Sequence, residues 1–292
     1  MTRRAAVLAL PWLWAALFLL LPLALVLKIS FAEAQVSVPP YSDFFERLDG
    51  AIVGVKTTFA NYQLLFSDSL YVRAYFSSSW IAFVSTLLTL LLGYPMAYAI
   101  ARAPAQRRNL LLVLIILPFW TSFLVRIYAW MGLLRPTGII NTALQSLGMI
   151  DAPLQLLNTS GAVYLGIVYA YLPFMVLPLY ARLEKLDGAL LEAAADLGAK
   201  PWQVFLHVTL PLSLPGVLAG CLLVFIPAVG EFVIPDLLGG ADTLMIGKVL
   251  WAEFFSNRDW PMSAAVTMVL LVVLVAPIML FQALQPRTDQ RP

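Results

Sequence analysis

Residues 184–211 read EKLDGALLEAAADLGAKPWQVFLHVTLP. Leu186, Leu190, Ala193, Ala194 and Leu197 recur at helical spacing with small residues among them, while Glu192 and Asp196 fall on the other side, so the first half is an amphipathic helix. Gly198 supplies the left-handed residue that closes a helix, and Pro201 stands where the first turn of a new helix tolerates it. Trp202, Phe205 and Leu206 form the apolar stripe of that second helix, and Pro211 marks its end. The segment is too apolar for a linker; it reads as two short helices hinged at a glycine, a knob for a partner's groove. A pair lying on a lipid surface would carry Lys and Arg beside its apolar face, and here only Lys200 and His207 are available.

Outward from this segment the chain is apolar. Hydrophobic residues make up 61% and charged residues 12%, with a mean hydropathy of +0.87, far from the roughly half-apolar, quarter-charged soluble average. A helix crosses the hydrocarbon core in about 20 residues. By that measure six spans are expected, over 8–31, 75–101, 110–134, 162–182, 212–233 and 263–284. Only helices satisfy their backbone within one apolar segment, so the predicted class is all-α and sheet is not expected anywhere. Thr2-Arg3-Arg4 before the first run and Ala32-Glu33-Ala34 after it are reminiscent of a secretory leader, but the run far exceeds the 7 to 15 residues of a leader core. It reads as an uncleaved first helix.

The cations set an orientation. Arg3, Arg4, Arg102, Arg107, Arg108, Arg182, Lys185, Lys200, Arg287 and Arg291 fall in one set of alternate segments, which is therefore cytoplasmic, as are both termini. The opposite, longer segments hold Arg47, Lys56, Arg73, Arg135, Lys248 and Arg258. Acids lean outward: Glu33, Asp43, Glu46, Asp49, Asp68, Asp151, Glu231, Asp236, Asp242, Glu253 and Asp259 lie on the outer side or its rim, an arrangement that follows from sorting cations inward and that also focuses cationic solutes. Pro22, Pro95, Pro118, Pro173, Pro178, Pro227 and Pro277 interrupt the spans, and the carbonyls they free are tolerable only where protein or a water-filled cavity covers them.

Several chemistries are excluded. A single cysteine, Cys221, forms no internal disulfide, and with His207 it makes no metal site. A net charge of +2 without a basic run does not point to nucleic acid. The nearest approach to a phosphate-cradling loop is Gly247-Lys248, preceded by Asp242 in place of the first glycine and followed by Val249 in place of the Mg²⁺ ligand. The chain is not an enzyme by itself.

The run Glu192-Ala193-Ala194, three residues, Gly198, nine residues, then Val208-Thr209-Leu210-Pro211 resembles the EAA loop of ABC importer permeases, with valine where that pattern usually has isoleucine. Further stretches carry the resemblance over nearly the whole chain: Leu117 to Arg126 (LPFWTSFLVR), Tyr171 to Pro178 (YLPFMVLP), Gly230 to Gly240 (GEFVIPDLLGG) and Asn257 to Pro261 (NRDWP). They are most similar to the permeases of polyamine importers, the putrescine type above all. This resemblance implies a type I ABC importer permease fold: one transmembrane domain over 1–292, with the first helix and outer loop in 1–74, five core helices in 75–284 and a cytoplasmic coupling loop in 184–211. Glu192, Ala193, Ala194, Gly198, Pro201, Leu210 and Pro211 would couple to the ATPase. It also implies a bacterial inner-membrane location, a second related permease forming a heterodimer, two copies of an ABC ATPase and a periplasmic polyamine-binding protein. ATP and Mg would belong to the ATPase, and no cofactor to this chain.

An ionisable group at the depth of Arg126 needs a partner, and Glu231 is the candidate for an intramembrane ion pair. For a cation whose amines are separated by methylenes, carboxylates suit the ends and aromatic faces the middle. Glu231 and Asp236 with Trp120, Tyr128, Trp130 and Tyr171 are the pathway candidates, while Trp251, Glu253, Asp259 and Trp260 face either the solute or the delivery protein. Within the class the alternative solutes are iron(III), sulfate and thiamine, and the acidic rim argues against an anion. A self-contained secondary transporter would show inverted repeats, which the two halves lack.

Overall fold

A computed structural model of the chain describes residues 3–43, 45–48 and 51–284. Asp49, Arg287 and Arg291, which enter the charge distribution above, lie outside the described residues. The first helix comprises α1 (Arg3–Ala15), a wide π turn over Ala16–Leu20, and α2 (Leu21–Ser30). A hairpin follows, β1 (Phe45–Leu48) paired antiparallel with β2 (Ala51–Val55), with a bulge between Glu46 and Arg47. This corrects the expectation that sheet occurs nowhere. The ban on open strand edges holds only within hydrocarbon, and this hairpin lies in the loop after the first span, where Ile52, Val53 and Val55 suit a strand.

The remaining elements are α3 (Ala60–Ser67), α4 (Ser69–Arg102), α5 (Ala105–Ile116), α6 (Phe123–Leu134), α7 (Ile139–Ser146), α8 (Ser160–Leu183), α9 (Gly188–Asp196), α10 (Pro201–Val204), α11 (Leu210–Val229), α12 (Val233–Leu237), α13 (Ile246–Trp251) and α14 (Trp260–Leu284). Among the described residues, four helices are long and apolar enough to cross a membrane: Ala9–Ser30, Ser69–Arg102, Ser160–Leu183 and Pro201–Val229. The expected third span is a bent pair, Ala105–Trp120 and Phe123–Ser146, meeting at 90°. The expected sixth span lies within α14, whose Trp260–Ala276 stretch is an apolar helix.

The bend has a local cause. Pro118 donates no backbone hydrogen bond and restricts the residue before it. The chain tightens into a 3₁₀ turn over Leu117–Trp120, and Thr121 turns extended. The Thr121 hydroxyl then donates to the Pro118 carbonyl at 2.8 Å.

Two compact units form, one containing the chain through Tyr75 together with Gly247–Ala276, the other Phe76–Ile246. In the first, Tyr62 shares a hydrogen bond with Ser30 at 2.7 Å, Asn61 donates to the carbonyls of Ser30 and Ala32, and Tyr75 donates to the Val266 carbonyl at 2.7 Å. In the second, α8 supplies Met175, Val176, Leu179 and Leu183 to a buried core shared with Tyr94, Ala97 and Ile100 of α4 and Val217 and Val224 of α11. Tyr94 and Ser213 satisfy each other in that core at 2.8 Å.

Helices α8 and α11 approach closely because Gly216 and Gly220 stand four residues apart on one face, the small-residue spacing that lets membrane helices touch backbone to backbone. A Cβ on Gly220 would lie 2.7 Å from Met175 Sδ and 3.1 Å from the Met175 carbonyl oxygen. One on Gly216 would meet Arg182 Cβ at 2.9 Å and the Pro178 carbonyl at 3.1 Å. Gly220→Leu should therefore destabilise the chain by about 1–3 kcal/mol through overpacking, read as a lowered thermal unfolding midpoint in detergent. Gly132→Ala, where nothing lies within 4 Å, is the control; equal midpoints for the two variants would contradict this packing.

Candidate functional site

The segment between α8 and α11 folds as a hinged pair. Asp187 caps α9, its side chain accepting from the Ala189 amide at 3.0 Å. Gly198 takes the left-handed conformation, φ +83°, and its amide and that of Ala199 bond back to the carbonyls of Ala195 and Ala194. Gln203 Oε1 accepts from the Lys200 amide at 2.8 Å, and Pro201 opens α10. Beyond this point the structure corrects the expected end at Pro211. A π turn over Phe205–Thr209 joins α10 to α11, so the second arm and the fifth span are one helix from Pro201 to Val229.

The π turn explains how proline is accommodated. A proline ring inside a helix clashes with the carbonyl four residues back. The wider turn just upstream, in which the Leu210 amide bonds the Phe205 carbonyl, opens space for that ring. The same device precedes Pro22, where the Leu21 amide reaches the Ala16 carbonyl.

Phe205 anchors the pair, standing edge-on to Tyr94 and Tyr98 at 5.5 and 6.5 Å. The opposite side is open: Leu197 is 89% exposed, and Leu190, Trp202 and Leu206 are exposed. A cleft of about 370 Å³ between the arms is lined by Ala194, Leu197, Gly198, Gln203, Val204 and His207, among others. Glu192, Ala193, Pro201 and Pro211 lie at the exposed surface, and Leu210 is half-buried.

Glu231 sits where α11 has ended and α12 begins. Its Oε1 accepts from the amides of Phe232 at 3.1 Å and Val233 at 3.0 Å, and Tyr171 donates to Oε2 at 2.5 Å. Glu231 as a whole is 8% exposed. It therefore satisfies amides that the start of a helix leaves without partners. The expected ion pair with Arg126 does not form; ion pairs seen among the described residues include Lys56–Glu33 at 2.9 Å and Arg108–Glu184 at 2.6 Å. Arg126, 9% exposed, lies 4.9 Å over the Phe119 ring and 5.7 Å from that of Phe123, and its Nε and Nη1 are buried without a hydrogen bond. Amides and a hydroxyl complement the carboxylate, while aromatic faces complement the guanidinium. Between them runs a file of rings, Phe119 to Phe174 at 5.4 Å and Phe174 to Tyr171 at 6.0 Å.

Of the other pathway candidates, Asp236 is exposed on α12, Trp120 is 77% exposed at the bend, and Tyr128 is exposed on α6. Trp130 packs against Tyr169 at 5.5 Å. The structure thus joins Tyr171 to Glu231 but joins none of Trp120, Tyr128 or Trp130 to that pair. In the first unit Glu253 accepts from Tyr71 and Asn257, both at 2.9 Å, Trp260 stacks on Phe254 at 5.0 Å, and Trp251 packs on Phe255 at 4.1 Å. Gly216 and Gly220 escaped the sequence reading, although their spacing is visible in it.

Kinked apolar helices packed through glycines, with a hinged helix pair projecting between two of them, define a subunit of a membrane permease. The chain belongs to the family described as the binding-protein-dependent transport system inner membrane component, which matches residues 89–290. It is a multi-pass inner-membrane transport subunit and not an ATPase. It is 43% identical over 268 residues to the spermidine/putrescine transport system permease protein PotB of Haemophilus influenzae, covering 92% of this chain and 89% of that one. The Escherichia coli K12 protein of the same name is 43% identical over 261 residues, 89% of this chain and 90% of that one. Its fold is shared with a chain in the crystal structure of a bacterial alginate ABC transporter in complex with alginate pentasaccharide-bound periplasmic protein, at a TM-score of 0.67 and 18% identity, over 98% and 94% of the two chains.

The seat of Glu231 makes a prediction. Glu231→Ala strips acceptors from buried amides and from Tyr171 and should cost about 1–3 kcal/mol, whereas Glu231→Gln keeps an acceptor oxygen and should unfold within a few degrees of the parent. A Gln variant as unstable as the Ala variant would show that charge, not hydrogen bonding, holds the seat.

Proposed function

We propose that this chain forms half of the transmembrane pathway of an ATP-driven polyamine importer, working by alternating access. The observation that carries this reading is the 43% identity to the spermidine/putrescine permeases over nine-tenths of the chain. The hinged helix pair supplies the mechanism. Its exposed leucines and Trp202 dock in a cleft of an ABC ATPase, present in two copies, which holds ATP and Mg. A second, related permease completes the pathway, and a periplasmic polyamine-binding protein delivers the solute; the alginate importer's complex with a periplasmic protein supports an arrangement of that kind. Both termini and the hinged pair are cytoplasmic, a reading supported by the sorting of lysine and arginine.

ATP-driven closure of the ATPases pulls on α9 and α10, and the unbroken helix carries the displacement into the membrane. Glu192, Ala193, Ala194, Gly198, Pro201, Leu210 and Pro211 form the transmitting surface and its hinge. For the solute, Asp236 offers charge and Trp120 and Tyr128 offer ring faces. Glu231, with both oxygens occupied, holds α12 against Tyr171.

Reconstitution with the neighbouring subunits tests the substrate. Loaded binding protein should stimulate ATP hydrolysis, and labelled putrescine or spermidine uptake should withstand competition by iron(III), sulfate or thiamine. Uptake of one of those solutes in place of a polyamine would replace the proposal. Gly198→Val tests the hinge: a β-branched residue at φ +83° is strained by about 1–3 kcal/mol, so uptake should fall about tenfold or more while membrane insertion is normal. Gly198→Asn, which tolerates that conformation, should retain most activity, and a fully coupled Val variant would remove the hinge from the mechanism.

A further inference from the structure

Helices α4 and α5 are joined by the short turn at Ala103-Pro104, and with the middle of α8 they line a groove of about 390 Å³. Its walls include Met96 and Ala99 of α4, Leu111 and Leu114 of α5, and Leu172 and Pro173 of α8. The lining is almost wholly carbon, and Met96, Ala99 and Leu114 are exposed along its mouth. Its volume is less than that of a single turn of a helix about 10 Å across and about 5.4 Å long, and suits one hydrocarbon chain instead.

The end of the groove nearest the turn is cationic. Arg108 ties the three helices together, donating to Glu184 at 2.6 Å and to the carbonyls of Ala101 and Ala103 at 3.2 and 3.4 Å, while its Nε is buried without a hydrogen bond. Arg107 is exposed and, being one helical turn before Leu111, shares the groove-facing side of α5. Arg102 ends α4 and lies over the Tyr98 ring at 5.5 Å. Among the described residues neither Arg102 nor Arg107 has an acidic partner, and Glu184 is already engaged by Arg108. From Arg107 the helix rises about 6 Å to Leu111 and about 12 Å to Ile115. A charge held at the arginines therefore sits one turn beyond the start of an apolar slot that ends at Pro118 and Pro173, deep in the bilayer.

We propose that this groove binds one acyl chain of an anionic phospholipid of the cytoplasmic leaflet, with Arg107 and Arg102 holding its phosphate. Basic pockets between membrane helices on the cytoplasmic side recognise anionic headgroups by this combination of charge and a buried tail. The lipid bridges α4, α5 and α8 just where α5 leads into the bent third span, so it braces the segment that the bend would otherwise leave loosely packed. The proposal rests on the orientation given above, which puts the Ala103-Pro104 turn in the cytoplasm.

The full chain, extracted in mild detergent with its neighbouring subunits, tests it by mass spectrometry of retained lipid after exchange into equal phosphatidylglycerol and phosphatidylcholine. The parent should hold one phosphatidylglycerol per chain with about tenfold preference. Combined Arg102→Gln and Arg107→Gln should bring the two lipids to parity. Ala99→Trp, or Leu114→Trp if the first variant folds poorly, should displace both. Equal retention of the two lipids by the parent, or retention undiminished by a tryptophan in the slot, overturns the proposal, as does a slot found covered by the second permease. Labelling of Gln106→Cys, in a Cys221→Ser background, from the cytoplasmic side tests the orientation separately, and polyamine uptake enters neither readout.

Discussion

A carbonyl freed by proline in the middle of a bilayer has no water to turn to, and much of this molecule is arranged around that constraint. At the elbow of the third span, where the chain turns extended, the Thr121 hydroxyl and amide serve the carbonyl of Pro118 itself. Wide turns placed before Pro22 and Pro211 let two helices run on through residues that would otherwise break them. The polar groups of the core obey the same rule: Tyr94 with Ser213, Tyr75 with the Val266 carbonyl, and Glu231 with two amides and Tyr171. Each is closed locally, inside one chain, by groups close at hand.

Much of this was legible in the residues. Helical class, the positions of most spans, the left-handed Gly198 and the helix start at Pro201 follow from periodicity, apolar run length and backbone stereochemistry, all of them local properties. The errors came where a local rule had a tertiary alternative. Pro211 reads as a stop because proline disfavours an α-helix, and a π turn evades that rule by adding a residue upstream. The hairpin at Phe45–Val55 escaped because the bilayer argument was applied to a loop that lies outside the apolar spans.

Arg126 and Glu231 show the limit most clearly. Opposite charges in the third and fifth spans suggest each other, yet pairing depends on which way two helices face, and nothing in a single sequence encodes that. The fold answers each charge with its own surroundings, rings for the cation and amides for the anion. Gly216 and Gly220 were the opposite case, a spacing plainly visible whose meaning emerges only with Met175 and Pro178 pressed against them.

The helix from Pro201 to Val229 begins at the exposed knob and stops one residue short of Gly230, beside the seat of Glu231. At about 1.5 Å per residue it is about 43 Å long, enough to traverse the membrane. In the mechanism proposed above it serves as a pushrod: a tilt imposed at Trp202 would reappear at the far tip, where Tyr171 grips the carboxylate. In that mechanism the π turn, like Pro215 and Pro227 further along, is a soft joint in the rod, and their stiffness would set how much of a nucleotide-driven stroke arrives at the other end.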